Sequence, residues 1–545
     1  MKKKLFTAIS IGVITSSLVT QVAHAAGAPV YVVSKSDGAA LSVIATTGDK
    51  FSNGILRGVP DGMGALKNAD GTLTLLSNHE ISLSSPVAQA SKTATGTWGS
   101  SISKMTYDPQ TNQIVKVEDL IKSMSYYNYA TKAWGPTWEQ SVPVGTAKVD
   151  SYGGDIGTNG LNRFCSGNLA AAGTLSYTEK NAKTKKSVTY GYKDPVYFTG
   201  EEGGDTSRAF AFDLNGSGIQ LPGFGLAGWE NFLTKPGTGK STVIMGNEDN
   251  TASDSQLYMY VGTKQTSGAN FAEKAGLTNG KLYTVALEGF LSDKALRASK
   301  KVGDKVKVGF NEINTNPDFG NFTAMAQANG TTFSRIEDGE FDPNNSNIYY
   351  FITTESNKDP LATAPNPDEP TFSRDGGALW KMTFADAKDP FKGATIEMLL
   401  NGTEAPYLSK PDNLTVDQNG YILIQEDPGA NDHVARVVAY RLSDGKRAVI
   451  AAFDDQYFAK GGTNFITNDE EASGIISANQ FLKASGDSKS YFFLNAQVHA
   501  KLSLANPALV GGLSAAEIEA LDNAAIEGGQ YYKLVIDWTK VVFAS

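Results

Sequence analysis

Short apolar runs alternate with clusters of Asp, Asn, Gly and Pro along almost the entire chain. SKMTYDPQTNQIVKV, PVYFTGEE, RAFAFDLNGSG, STVIMGNEDN, QLYMYVG, KLYTVALEG, NIYYFITTES, GALWKMTF, YILIQED, ARVVAYRL, SYFFLNAQ and YYKLVIDW are the clearest examples. Many place apolar residues at every second position or carry β-branched and aromatic runs, which is the period of a strand with one face buried. Connections such as Asp417-Gln418-Asn419-Gly420 carry hairpin chemistry. A series of this kind over the full length predicts an all-β protein built from repeated antiparallel sheets. A β-propeller, with blades of about four strands around an axis, accommodates such a chain most economically.

Helical patterns are few. Ser514-Ala515-Ala516-Glu517 reads as a capping box opening SAAEIEALDNAAIEGG, with Gly528 and Gly529 as its stop. A second helix is expected over about Ser292 to Lys300, within a charged connection. Both are small insertions in a sheet protein. The Pro-rich run DPLATAPNPDEPT from Asp359 to Thr371 reads as a surface loop, and no low-complexity linker divides the chain, so residues 26–545 are expected to form one large domain.

The first 25 residues change the picture of where the protein works. Three lysines, a short apolar stretch and Ala23-His24-Ala25 form the tripartite pattern of a secretory signal, with cleavage expected after Ala25. That apolar stretch is too short, and too interrupted by Ser and Thr, for a membrane span. The mature chain is expected in the periplasm or outside the cell. Loss of the three lysines takes the formal charge from -9 to -12, a poor match for nucleic acid or anionic lipid. Small-molecule substrates and a monomeric state are the corresponding expectations.

One cysteine, Cys165, stands in NRFCSGN. It has no partner for an internal disulfide, so four readings are open: a buried inert thiol, an intermolecular bridge, a nucleophile or a metal ligand. Acidic and polar clusters fall at strand ends: Asn78-His79-Glu80, Glu201-Glu202, Asn247-Glu248-Asp249-Asn250, Arg335-Ile336-Glu337-Asp338 and Pro411-Asp412-Asn413. Gathered carboxylates repel one another unless a positive charge compensates. Ca²⁺ takes six to eight oxygens of these types, whereas a thiolate suits iron or zinc. Each cluster alone is also ordinary turn chemistry. No G-x-S-x-G elbow, H-E-x-x-H helix or Walker loop occurs in the chain.

Taken in order, Asn78-His79-Glu80, Cys165-Ser166-Gly167, Thr199-Gly200-Glu201-Glu202, Met245-Gly246-Asn247-Glu248-Asp249, Arg335-Ile336-Glu337-Asp338-Gly339-Glu340 and Pro411-Asp412-Asn413-Leu414 resemble the PhoX-type bacterial alkaline phosphatases. The resemblance implies a six-bladed propeller with an axial cluster of ferric iron and calcium that hydrolyses phosphomonoesters. It makes Cys165 the iron ligand and Glu337 a metal ligand. Glu80, Glu202, Asp412 and one of Glu248 and Asp249 complete the metal shell. Arg335 holds the phosphate through a planar guanidinium. Asn168 and His79 are further candidates for contact with it.

Two features depart from that family. The leader MKKKLFTAISIG lacks an arginine pair, so a Sec-type route is expected, with metals acquired after export. The connection from Cys165 to Glu201 carries a lysine-rich insert, EKNAKTKKS, read as a surface loop. Two other classes fit the pattern: a calcium-dependent propeller hydrolase of lactones, phosphotriesters or phytate, and a calcium-stabilised surface propeller that binds a partner without catalysis. The aromatic cluster Tyr126, Tyr127, Tyr129, Trp134 and Trp138 is expected to cap a loop or line an entrance.

Overall fold

The computed structural model describes residues 28–544, apart from 53, 86, 89–95, 144–158, 181, 252, 317–321, 355–375 and 431–432. The leader and the Pro-rich run lie outside the described residues. Six strand sets follow one another around an axis, each beginning with its innermost strand and antiparallel except where Ser123–Asn128 joins Ser217–Gln220 in parallel. These inner strands are Pro60–Lys67, Phe164–Ala170, Trp229–Thr234, Ile336–Phe341, Pro411–Asp417 and Glu470–Ser477. Each packs beside the next and the last packs beside the first, so the ring is closed. The chain is a six-bladed β-propeller.

Each seam between blades has its own apolar filling. Met63, Leu75, Phe493 and Tyr531 join the sixth blade to the first, Ile102, Phe164, Tyr197 and Phe210 the first to the second, and Trp229, Phe232 and Phe198 the second to the third. Burial of such side chains stabilises by roughly 1.5–3 kcal/mol each. Stability is therefore spread around the ring rather than held in one centre. Neighbouring inner strands also approach closely: a Cβ on Gly62 would stand 2.0 Å from the backbone nitrogen of Gly167, so glycine is required there.

Both ends of the described chain complete the ring. Ala39–Thr46 pairs antiparallel with Gly528–Ile536, making the sixth blade from the two ends of the sequence. Val32–Ser34 adds an outer strand to the fifth blade through Arg447–Phe453. The third and fourth blades fuse at their rims, where Val306–Val308 pairs with Ala394–Ile396.

The capping box opens a helix over Ala515–Ala525, with Ser514 and Glu517 bonding reciprocally. The helix ends at Ile526, at φ 72°, before either glycine. The second expected helix spans Asp293–Ser299 behind Ser292 as cap. The lysine-rich insert is a hairpin of Ser176–Lys180 and Ser187–Gly191 that extends the connection, not an irregular loop. The aromatic run lies on an outer strand of the second blade, Ser123–Asn128, where Tyr127 packs edge-on to Tyr129 and Trp134, and the Trp134 indole N–H donates to Gln220 O. Among the described residues no helix is long and apolar enough to cross a membrane.

Candidate metal centre

All six inner strands carry the same local defect. A β-bulge interrupts their pairing with the second strand between Pro60 and Met63, Phe164 and Gly167, Trp229 and Asn231, Ile336 and Gly339, Pro411 and Leu414, and Ala472 and Ile475. A bulge bends its strand and re-aims a side chain. At or beside each bulge stands one residue able to ligate a metal: Asp61, Cys165, Glu230, Glu337, Asp412 and Glu471. All six are buried. Sixfold architecture thus delivers five carboxylates and one thiol to the axis.

Their ligand atoms interlock in overlapping groups. Asp61, Glu80 and Cys165 form one; Cys165, Glu202 and Glu230 a second; Glu230, Glu337 and Asp412 a third; and Asp412, Asp427 and Glu471 a fourth. Within each group the candidate ligand atoms lie within 4.8 Å of one another. The Cys165 thiol stands 3.1 Å from Asp61 Oδ2. It lies among carboxylates, and burial together with Asp61 and Glu230 pushes its pKa well up. Burial and mutual repulsion likewise raise Asp61, Glu230, Glu337 and Asp412. Glu202 is raised to about 8 and Glu471 to about 7, again chiefly by burial.

Side-chain oxygens in and beside this ring are left without hydrogen-bond partners. Asp61 Oδ1, Glu230 Oε1, Asp412 Oδ1, Asn413 Oδ1, Asn495 Oδ1 and Gln497 Oε1 are buried and unpaired among the described residues. Every one is an acceptor. Leaving a buried acceptor unpaired costs roughly 1–3 kcal/mol, a cost that cations bound among these oxygens would offset. The donor set fits hard cations on its carboxylate side and accepts a softer metal at the Cys165 thiol, once deprotonated.

Second strands brace the ring. Asn78 Nδ2 donates to Cys165 O at 2.8 Å, Asn495 Nδ2 to Asp61 O at 2.8 Å, and Asn247 Nδ2 to Glu337 O. Each amide reaches from one blade to the axial residue of the next, fixing neighbouring ligands relative to one another. Below the carboxylates the axis is closed. Ser166 Oγ accepts from Asn231 Nδ2 and from Asn413 Nδ2, both at 3.1 Å, and Asn231 Nδ2 also donates to Asp338 Oδ1 at 2.6 Å. Second and fifth blades face each other across the axis, so this contact forms a floor.

Above the ring stand the second-strand ends, and with them the cations. Arg335 Nε and Nη2 donate to Asp249 Oδ1 at 2.9 Å and Oδ2 at 2.5 Å, and Nη2 lies 3.4 Å from Glu337 Oε1. Arg163 Nη2 bridges Glu80 Oε1 and Glu202 Oε2, each at 2.5 Å. His499 lies between Glu527, 2.7 Å from Nδ1, and Glu471, 4.0 Å from Nε2. His433 pairs instead with Glu426, which Arg436 also holds.

Of the residues singled out in the sequence, Cys165, Glu80, Glu202, Glu337 and Asp412 come together in these groups, and Arg335 stands over them. Asp249 faces Arg335. Glu248 points to the opposite side of its strand, where Gln256 N and Tyr258 Oη donate to its Oε2. His79 is buried in the first blade, with Nδ1 on Gly58 O at 2.8 Å and Nε2 on Ser103 Oγ at 2.7 Å. Burial lowers its pKa to about 3, so the ring is neutral. Asn168 follows the bulge on the inner strand, three positions past Cys165, where it pairs with Phe198 and is half-buried. Sequence reasoning missed Asp61, Glu230, Asp427 and Glu471. The signal was the recurring start of an inner strand, an acid or cysteine followed by a small or polar residue, as in PDG, FCSG, WEN, IEDG, PDN and EEASG.

Comparison with known proteins adds to the geometry. Residues 220–477 match the family model described as alkaline phosphatase PhoX. Among solved structures, Pseudomonas fluorescens PhoX in complex with vanadate, a transition state analogue, aligns at a TM-score of 0.56 and 13% identity over 94% of this chain and 97% of that one. Hadza microbial sialidase Hz136 aligns at a TM-score of 0.29 and 9% identity, over 80% of this chain and 63% of that one. No curated protein matches the sequence.

Proposed function

We propose that the chain is a metal-dependent phosphatase of the PhoX type that hydrolyses small phosphomonoesters, with calcium on its carboxylates and iron at Cys165. The observation that carries this reading is the ring of Asp61, Cys165, Glu230, Glu337, Asp412 and Glu471, with unpaired acceptor oxygens below a rim that carries Arg335. The family match over residues 220–477 and the propeller likeness support it.

Bound metals would neutralise a transferring phosphoryl group and lower the pKa of attacking water. Asp61, Glu230, Glu337, Asp412 and Glu471 would hold the hard cations and Cys165 the softer one, with Glu80 and Glu202 adding oxygens from the rim. The protein's own task is then positioning and charge. Arg335 is always protonated; Asp249 takes the Nε and Nη2 edge of its fork, which leaves Nη1 and the second Nη2 proton to meet phosphoryl oxygens. Asp249 and Glu337 aim that fork over the ring. The floor at Ser166 closes the axis from below, so ester and product exchange through the rim. The mature chain would work in the periplasm or outside the cell.

Purified protein loaded with calcium and iron is expected to release phosphate from a chromogenic phosphomonoester at alkaline pH. A chelator should abolish this and calcium restore it. Inactivity after loading with both metals would reject the proposal.

A further inference from the structure

Arg335 is not the single guanidinium at the mouth. Arg163 and Arg335 occupy equivalent positions, each two residues before the axial ligand of its blade, Cys165 and Glu337. Both have left-handed backbone, at φ 42° and 58°, as do Val59 and Lys410 at the same place before Asp61 and Asp412, at φ 49° and 42°. This conformation is uncommon for a side chain other than Gly, Asn or Asp, and it recurs where surrounding structure enforces it. Each arginine reaches back to the carboxylate that ends the second strand of the preceding blade: Arg163 to Glu80, Arg335 to Asp249. Arg163 also takes Glu202 from its own blade.

Exposure follows the same pattern. The Arg163 and Arg335 side chains are 24% and 28% exposed, whereas Glu80, Glu202, Asp249 and Glu337 are all below 7%. The carboxylates turn into the ring and the guanidiniums face the mouth. Glu202 links the two: it is hydrogen-bonded to Arg163, and its charge acts on Arg335. A substrate anion approaching the ring of carboxylates meets these two guanidiniums at the mouth, with Lys410 partly exposed at the equivalent position before Asp412.

We propose that Arg163 is a second phosphoryl-binding residue, gripping the same group as Arg335 from across Glu202. This rests on the phosphatase reading above. A phosphoryl group in transfer spreads its charge over three equatorial oxygens, more than one fork can satisfy. Two forks from the second and fourth blades, with the third between them, orient the group as well as bind it.

The test measures binding of inorganic phosphate to the protein loaded with calcium and iron by calorimetry, together with bound calcium by elemental analysis. Arg163→Gln is expected to weaken phosphate binding by about tenfold, the scale of a lost charge-assisted hydrogen bond. Arg335→Gln should do the same. Arg163→Lys keeps the charge and the fold but not the fork, and is expected to recover only part of the loss. If Arg163→Gln and Arg163→Lys both bind phosphate as the unaltered protein does, and the Gln variant takes up one more calcium, Arg163 is a counter-ion for Glu80 and Glu202 and the proposal fails. If the unaltered protein binds no phosphate, the phosphatase reading fails and takes this inference with it.

Discussion

Ser166 Oγ and Asn413 Nδ2 meet at 3.1 Å across the propeller axis, joining the second blade to the fifth beneath the carboxylate ring. The same hydroxyl accepts from Asn231 at 3.1 Å. Ser166→Ala leaves the Asn413 amide without that acceptor in a buried site. A loss of roughly 1–3 kcal/mol is expected. Chemical denaturation of the metal-loaded protein measures it, and an unchanged midpoint would show that the contact does not hold the floor.

Cys165 lies on the shared edge of two ligand groups, one with Asp61 and Glu80 and one with Glu202 and Glu230. Cys165→Ala is therefore expected to remove iron and most activity while circular dichroism still reports a folded sheet protein. Calcium should stay near its original stoichiometry. Full iron occupancy in this variant would place the metal elsewhere.

Metal removal should reverse the pH dependence of stability. Glu202 and Glu471, at about 8 and about 7, hold protons in the folded metal-free state that the unfolded chain gives up near 4.3. Folded-state pKa values raised in this way give stability that is present below the unfolded value and lost as pH rises toward 7–8. The chelated protein should melt at a lower temperature at pH 8 than at pH 5. Calcium prefers the charged carboxylates, so its stabilising effect should grow over the same interval. Calorimetry in EDTA and in calcium at both pH values decides the matter.

His79 supplies the opposite sign. Burial holds its folded pKa at about 3, below the unfolded value of about 6.5, so the stability it contributes is complete above pH 6.5 and fades as pH falls toward 3. Both ring nitrogens are engaged, by Gly58 and Ser103, so the ring is expected to take no part in turnover. His79→Gln is expected to keep activity within about threefold while costing roughly 1–3 kcal/mol of stability. A hundredfold loss of kcat in a folded variant would put the ring in the reaction.

The sheet pattern was legible because alternation of apolar and polar positions is set by half-buried strands, and the capping box at Ser514 because its two hydrogen bonds are local. Glu80, Glu202 and Asp249 were visible because they close second strands, where acids stand out against apolar runs. Asp61, Glu230 and Glu471 were not. PDG reads as a turn and WENF as buried strand, and the bulges that aim these residues inward depend on pairing with a second strand. Insertions of unequal length, such as the hairpin after Lys180, hide the sixfold recurrence from any fixed period. Arg163 carried no signal of its own in the sequence; its φ and its ties to Glu80 and Glu202 give it the position that Arg335 has two blades on.

The sixth blade takes one strand, Ala39–Thr46, from near the beginning of the sequence and three, ending with Gly528–Ile536, from near its end. Glu471 therefore reaches its place only after almost every other residue has been synthesised. A nascent chain carries an open arc in which like charges face each other with no spoke to shut the gap. Metal uptake reports circularisation, and a nick or truncation that frees either terminal strand should release the ions and loosen every seam together.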